Sequence, residues 1–349
     1  MAALALGCGV APQARLDGAR RFDARATSAG TWLAVQLHAH SKHSDGVFTV
    51  PELIGMAKKE GLDALGLSEH DTTTQWLDPA FVAEKELVML HSEEARDNHE
   101  DNHMGVHGFS GVEPLVKLPR EQGLDEAARR GGTVVANHPR NRFVPWKPLT
   151  WDSRVHAIEV WNGWWMNPLL AASVPHPESV SSNEEAVGWW ADLLAAGARV
   201  SPIAASDFHR KPQNLASPCT LVYATERTEA AILAGIRAGR TLLAEHPRRQ
   251  RVMLTADPDR DGSFGAMVGD AVPRGATFRV HAKNARGNVL RLMVGLRPIL
   301  QTRVPSADWQ HDFTLPADAA PTDRFVYARV DEDFAIRRMQ AMTGAIYLR

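Results

Sequence analysis

The stretch VQLHAHSKHSDG, residues 35–46, sets a pattern that the rest of the chain repeats. Alternate side chains of an extended strand share a face, so His38 and His40 point the same way and can bind one cation through two imidazoles. Asp45, just past the strand, can join them. We therefore interpret this stretch as a strand that ends in a metal site.

The same arrangement, an apolar strand followed at once by His, Asp or Glu, recurs along the chain. A single HxH pair is weak evidence in a chain with 15 histidines, because chance produces such pairs. Repetition at the ends of successive strands makes a shared metal centre the better interpretation. The later strands end in His70, in Glu93 and Glu94, in His138, and in Asp207 and His209.

The composition is that of a globular protein, with 44% hydrophobic and 23% charged residues in 349 positions. Because this length exceeds that of a typical single domain, we expect two domains. A formal net charge of -2 provides no overall basic field, so nucleic acid is not an expected partner. The two cysteines exclude a disulfide framework and a thiolate metal site.

The sequence leaves the cellular location of the protein open. No apolar run reaches the roughly 18 residues of a membrane helix, so no membrane span is expected. The first residues, MAALALGCGVAPQ, resemble the end of a secretory h-region but lack the cationic segment that precedes one. Residues 1–30 are therefore an unstructured tail or the remnant of a signal segment. The second interpretation would place the protein in the periplasm or outside the cell, and the first leaves the cytoplasm open.

Between residues 31 and 248, short apolar strands alternate with helices, which defines the fold class as α/β. The Thr49-x-x-Glu52 spacing of a capping box, with Gly61 as a helix stop, predicts a helix between the first two strands. Helices between apolar strands are typical of parallel pairing through right-handed crossovers, and about seven such units predict a closed or nearly closed barrel. The candidate ligands fall at the carboxyl ends of the strands, where such barrels carry their reacting groups.

From residue 249 to 349 the pattern changes to strand-like segments separated by Gly, Pro and Asp, without helical periods. We expect a small C-terminal all-β domain that resembles a sandwich. Residues 257–262, DPDRDG, resemble the front half of a calcium loop, but Val268 stands where such a loop requires a bidentate Glu. A turn is the preferred interpretation.

The order of these motifs resembles the PHP superfamily, named after the polymerase and histidinol phosphatase domains. The stretch VWNG at 160–163, a Trp-rich helix near residue 190 and the all-β tail further resemble its CehA/McbA-type branch. The resemblance covers about residues 31–349 and implies a distorted seven-stranded (β/α) barrel with two or three divalent metal ions (zinc, manganese or iron). The matching motifs are His38-x-His40 with Ser44-Asp45-Gly46, Glu69-His70-Asp71, an acidic residue after the third strand, His103 before Val-His-Gly, Asn137-His138-Pro139, and Ser206-Asp207-Phe208-His209.

The resemblance also assigns ligands to ions by position. The family usually has Gly-x-Glu where this chain has Ser92-Glu93-Glu94, and the match favours Glu94 as the bridging carboxylate, with Glu93 in reserve. The remaining candidates, His43, His99 and His107, are better explained as loop or strand histidines. The three implied groups are His38, His40, Glu94 and Asp207; Glu94, His103 and His138; and Asp45, His70 and His209.

This donor set predicts hydrolysis. Imidazoles and carboxylates suit zinc, manganese or iron, and a shared carboxylate can hold two cations about 3.5 to 4 Å apart. Such a cluster lowers the pKa of a bridging water toward neutrality, so the expected nucleophile is a metal-bridging hydroxide. Asp207 or His209 could relay protons, although a metal ligand has little freedom to do so. Arg140 and Arg210 follow ligand positions and could bind a phosphate, with surface arginines as the alternative.

Three functions stay open from the sequence. The first, which the superfamily resemblance most often implies, is a phosphoesterase acting on a small organic phosphate ester. The second is a carbamate, carboxyl-ester or lactone hydrolase with the same metals. The third is a binding or scaffold protein without catalysis, which an intact ligand set disfavours. Tryptophans on loops expected above the site suggest an apolar or aromatic leaving group, with core packing as the alternative: Trp146, Trp151, Trp164 and Trp165.

Overall fold

The computed structural model describes residues 30–99, 101–147, 149, 151–163, 182–315, 323–334 and 338–349. The fold is mixed α/β, with one large sheet and few helices. No helix among these residues is long and apolar enough to cross a bilayer. The helices are α1 (Val50–Glu60), α2 (Pro79–Ala83), α3 (Arg120–Arg129), α4 (Ser182–Ala195) and α5 (Glu229–Arg237), with a 3-10 turn at Thr74–Leu77.

The large sheet is built first from strands that precede residue 249. These strands are β1 (Thr31–Gln36), β2 (Ala64–His70), β3 (Val88–Ala95), β4 (Met104–His107), β5 (Thr133–Ala136), β6 (Val155–Asn162), β7 (Ser201–Ala205), β8 (Cys219–Ala224) and β9 (Thr241–Ala244). Their hydrogen-bonded order is β9-β8-β1-β2-β3-β4-β5-β6-β7.

Helix α1 forms where the capping signals predict it. Glu52 accepts a hydrogen bond from the backbone N–H of Thr49 at 2.8 Å, which completes the capping box. Gly61 ends the helix with a φ of 85°, in the left-handed region that glycine adopts without steric cost. The helix buries Val50, Leu53, Ile54 and Ala57, and so packs one apolar face against the sheet.

Strand direction differs from the expected all-parallel arrangement. The pairs β1–β2, β2–β3, β5–β6 and β6–β7 are parallel, but β4 is antiparallel to both neighbours. Residues 96–103 between β3 and β4 are too few for a parallel crossover, which needs about a dozen residues or more. The all-parallel prediction was therefore wrong at β4, and also at β8, which is antiparallel to β1 and β9.

Barrel closure is incomplete among the described residues. No ladder joins β7 to β1 or β8 there, and the segments that follow β1 and β7 meet at one isolated parallel bridge between Ala39 and Phe208. The buried side chain of Gln36 spans the same gap. Its Nε2 donates to the carbonyls of Leu215 and Pro218 at 2.6 and 3.2 Å, and its Oε1 accepts from the N–H groups of Leu37, His38 and Ser206, each at 3.1 Å.

The described residues after 249 form strands and no helix, as predicted. A four-stranded sheet, in the order β11-β10-β13-β16, lies against the large sheet through contacts of β10 with β17 and β18. The strands are β10 (Arg251–Asp257), β11 (Ala266–Met267), β12 (Ala271–Val272), β13 (Thr277–Lys283), β14 (Val289–Val294), β15 (Arg297–Arg303), β16 (Asp308–Thr314), β17 (Phe325–Asp331), β18 (Met339–Thr343) and β19 (Ile346–Leu348).

The other C-terminal strands extend the large sheet. Strand β18 pairs antiparallel with β9, with Ala341 opposite Ala244, and so joins β12, β14, β15, β17 and β19 to the strands that hold the candidate ligands. A separately folded β domain is therefore not seen in the sheet topology, and the domain boundaries stay a prediction. The calcium-like segment is a turn, because the carboxylate of Asp257 accepts from the backbone N–H groups of Asp261 and Gly262.

Candidate metal centre

The nine predicted ligands lie together at one edge of the large sheet. Most follow the carboxyl ends of parallel strands, but His103 precedes β4. Because β4 runs in the opposite direction, its amino end reaches the same edge as the carboxyl ends of its neighbours. His38 and His40 lie just beyond the last residue of β1 and not within it, on either side of the bridge residue Ala39.

Glu94 stands at the centre of the cluster and is fully buried. One carboxylate oxygen, Oε2, faces three imidazoles, and the other, Oε1, faces two more. This division is what a carboxylate shared between cations requires. Oε2 lies 3.2 Å from His38 Nε2, 3.2 Å from His70 Nδ1 and 3.4 Å from His40 Nε2, while Oε1 lies 3.2 Å from both His103 Nδ1 and His138 Nε2.

Asp207 is the second buried carboxylate of the cluster. Its Oδ1 lies 3.3 Å from His38 Nε2 and 3.4 Å from His40 Nε2. Asp207 and His138 have φ angles of 51° and 26°, a backbone region that residues other than glycine rarely adopt. Strained backbone of this kind is typical of functional sites, where the surroundings hold it in place.

Asp45 marks the open side of the centre, since 56% of its side chain is exposed. Its carboxylate lies 3.2 Å from His209 Nε2, and 3.7 Å from both His40 Nδ1 and His70 Nε2. The loop that carries Asp45 folds back on itself, so that a Cβ atom at residue 46 would lie 2.1 Å from the carbonyl oxygen of His40. This close approach requires the glycine at position 46.

Four sets of donor atoms are close enough to share an ion, each with its atoms within 4.8 Å of one another. They differ from the expected grouping mainly at His70, which belongs to two sets, and at His138, which joins His38 and Asp207. The sets are His40, Asp45, His70 and His209; His38, His40 and Glu94; His38, His138 and Asp207; and His70, Glu94 and His103.

The donor atoms fit divalent cations. Burial alone would raise the pKa of Glu94 and Asp207, but the surrounding imidazoles outweigh it and hold both pKa values well below their ordinary range. Buried ring nitrogens without a hydrogen-bond partner are rare in proteins, and a cation would satisfy those that face it. Among the described residues these atoms are Nε2 of His38, both ring nitrogens of His40, and Nδ1 of His70, His103 and His138.

Supporting residues around the ligands had no role assigned from sequence. Asn137 donates to Glu94 Oε1 at 2.9 Å. Glu69 accepts from the backbone N–H of Ser41 at 2.9 Å and from the Ser44 hydroxyl, and so fixes the loop that carries Asp45. Glu159 and Asn162 on β6 contact several ligands. The available signal was a charged residue inside an otherwise apolar strand, AIEVW.

Glu93 and Glu94 point to opposite faces of β3, as neighbours in a strand do. Glu93 accepts a hydrogen bond from the backbone N–H of Leu115 at 2.9 Å, and burial raises its pKa to about 8. The geometry therefore places Glu94, and not the reserve candidate Glu93, in the cluster.

The competing histidines have other contacts. His107 Nδ1 lies 2.8 Å from the Ser92 hydroxyl, and His43 Nδ1 lies 2.9 Å from the Thr74 hydroxyl. His99 does not enter the described sets of donor atoms. These findings agree with their interpretation as loop and strand residues.

The predicted substrate residues lie outside the donor sets. Arg140 forms an ion pair with Glu185 of α4 at 3.0 Å, and Arg210 is exposed. Trp146 is buried in the core and Trp151 packs against it, so core packing accounts for these two tryptophans. Trp164 and Trp165 lie outside the described residues.

No protein-family model and no curated protein match the sequence. Solved structures with a similar backbone include a two-domain protein from Bacteroides vulgatus described as containing a predicted PHP-like metal-dependent phosphoesterase, with 18% identity, a TM-score of 0.49, and coverage of 95% of this chain and 100% of that chain. The lesion-specific endonuclease PfuEndoQ from Pyrococcus furiosus is 17% identical, with a TM-score of 0.44 and coverage of 66% and 63%. An amidohydrolase from Chromobacterium violaceum, with bound sulfate and no metal, is 14% identical, with a TM-score of 0.38 and coverage of 52% and 89%.

Proposed function

We propose that this chain is a metal-dependent hydrolase, and specifically a phosphoesterase that acts on a small organic phosphate ester. The observation that carries the proposal is the buried carboxylate of Glu94, whose two oxygens are divided between two sets of imidazoles. In this proposal the strands form a distorted seven-stranded barrel of the PHP type that holds two or three zinc, manganese or iron ions.

The ligand charges favour an anionic substrate. The donor sets contain three carboxylates, those of Asp45, Glu94 and Asp207. If three divalent ions bind, their six positive charges exceed the charges of these carboxylates and of Glu159, so the centre is positively charged. When bound, such ions supply an activated water nucleophile and polarise the ester oxygen. The low pKa values of Glu94 and Asp207 keep both carboxylates ionised at neutral pH, so neither is suited to donate a proton to the leaving group.

The first test compares metal content and ester hydrolysis in the wild type and in His40→Ala. We expect the purified protein to retain divalent metal and to hydrolyse an aryl phosphate monoester. His40 lies in two of the four donor sets, so His40→Ala should lower turnover by about a thousandfold or more. The circular dichroism spectrum should be kept, because the apolar core does not depend on the metal. Metal content is measured by elemental analysis, and hydrolysis by release of the aryl alcohol.

The same assay separates the alternatives. A metal-loaded wild type that cleaves aryl carboxyl esters or carbamates but no phosphate ester would support the second function. The ion pair of Arg140 with Glu185 favours that second function. Arg140 was one of the two arginines expected to bind phosphate, and here its guanidinium binds a carboxylate instead. A metal-loaded protein inactive on every ester would support the scaffold interpretation.

A further inference from the structure

Glu159 lies behind the metal centre, buried in β6. Its Oε1 lies 3.2 Å from Nδ1 of His38, while Nε2 of the same ring faces Glu94 and Asp207 at 3.2 and 3.3 Å. Glu159 therefore contacts the side of the imidazole that points away from the donor sets. A carboxylate in this position accepts the Nδ1–H, which leaves the Nε2 lone pair directed at an ion.

The second oxygen of Glu159 contacts two further groups. Oε2 accepts from the backbone N–H of His138 at 2.7 Å and from Nδ2 of Asn162 at 3.1 Å. The first bond fixes the main chain of His138, whose φ of 26° requires support from its surroundings. One carboxylate thus restrains two ligands that come from distant parts of the sequence.

Asn162 extends the same restraint to a third ligand. Its Nδ2 also lies 3.1 Å from Asp207 Oδ2, the oxygen that does not face His38. The backbone of Asn162 is itself held by Asn183 of α4, which accepts from its N–H at 3.0 Å and donates to its carbonyl at 3.1 Å. The amide is therefore presented in a fixed orientation.

The three ligands restrained in this way, His38, His138 and Asp207, are together one of the four donor sets. We propose that Glu159 and Asn162 are positioning residues that prepare this set for one divalent ion. The set of His40, Asp45, His70 and His209 shares no ligand with the restrained set, so its ion should bind independently. This inference rests on the metal binding in the proposed function, but it does not depend on which ester is cleaved.

The test measures ion affinity in Glu159→Gln and Asn162→Ala. The glutamine places an N–H₂ group where one oxygen accepted, so it cannot satisfy both His38 Nδ1–H and the donors on the other side. Each protein is loaded with Zn²⁺, dialysed against a graded series of chelator concentrations, and assayed for ions per chain. We expect one ion to be lost at a chelator concentration about ten- to a hundredfold lower than in the wild type. The remaining ions should be lost at the same chelator concentrations as in the wild type.

Glu93→Gln is the matched control, because Glu93 is as buried as Glu159 but points to the face of β3 that lies away from the donor sets. It should release its ions as the wild type does. Unchanged release curves in folded Glu159→Gln and Asn162→Ala, or a uniform loss of all ions, would overturn the proposal.

Two further readouts keep the inference testable. If Glu159→Gln does not fold, Asn162→Ala decides, because it removes one side-chain amide and leaves the backbone bonds to Asn183 in place. In the zinc-loaded wild type, nitrogen NMR of labelled histidine should show His38 protonated at Nδ1, and the opposite tautomer would contradict the proposal. A wild type that binds metal without cleaving phosphate esters would refute the proposed function alone.

Discussion

His107 is a buried histidine whose protonation is opposed by its surroundings. Burial and the nearby His38 together lower the pKa of its imidazole to about 3, with burial as the larger cause. Nδ1 of His107 lies 2.8 Å from the Ser92 hydroxyl, so the neutral ring is part of the packed strand pair β3–β4. In the unfolded chain the same ring would titrate at about 6.5.

These two pKa values predict that His107 makes the protein less stable in acid. Below pH 6.5 the unfolded state binds a proton that the folded state does not bind. The free energy of unfolding therefore decreases as the pH falls from about 6.5 to 3. For the metal-free protein, His107 should account for about 2 kcal/mol of the loss between pH 7 and pH 5. Urea unfolding of wild type and His107→Asn at both pH values measures the difference. Parallel losses in the two proteins would contradict the assignment.

Candidate ligands could be located from sequence where the signal is local to the chain. His38, His70 and Asp207 each follow an apolar strand, and that position alone brings them to one edge of a sheet. Glu159 and Arg140 could not be assigned in this way. The role of Glu159 depends on His38, a residue 121 positions away, and Arg140 is bound by a carboxylate 45 positions away.

At the scale of elements, the side chain of Gln36 connects β1 to the segments that follow β7, where no ladder joins the strands. Replacing it with leucine would leave two buried carbonyls and three N–H groups without their partner, and each such loss costs about 1–3 kcal/mol when water cannot enter. We expect Gln36→Leu to lower the free energy of unfolding by about 3 kcal/mol or more, as measured by urea denaturation.

Gln75→Leu is the comparison for this experiment. Gln75 is equally buried, but its Nε2 donates only to the carbonyls of Leu67 and Ser92, and Ser92 keeps a second donor in the indole of Trp76. Gln75→Leu should therefore lower the free energy of unfolding by less than Gln36→Leu does. Equal losses would show that Gln36 acts only as a buried amide and does not hold the two strand ends together.

Elements themselves were easier to predict than their pairing. Helix α1 begins and ends where Thr49 and Gly61 predict, because capping residues are properties of adjacent positions. The direction of β4 is not such a property. It follows from the short connection after β3.

For the whole molecule, the described residues after 249 form strands and no helix, but the sequence did not predict how these strands connect to those before them. An edge strand exposes unpaired N–H and C=O groups, and β9 would be such an edge without β18. The four residues of β9 contain no signal that predicts pairing with a strand about 100 positions later. Long-range pairing of this kind is set by the packing of the finished core.

The same connection predicts that residues 31–248 do not form a stable protein alone. Removing the rest exposes the edge of β9 and takes Phe325, Tyr327 and Met342 from the cluster around Trp190. Losing a buried side chain of this size costs about 2–5 kcal/mol, and the net stability of a domain is about 5–15 kcal/mol. Arg329, which binds Glu184 of α4 at 2.8 Å, is lost as well. We expect the fragment to aggregate or to unfold without cooperativity, as judged by gel filtration and thermal denaturation beside the full chain. A monomeric fragment that melts cooperatively and binds metal would instead establish an independent domain.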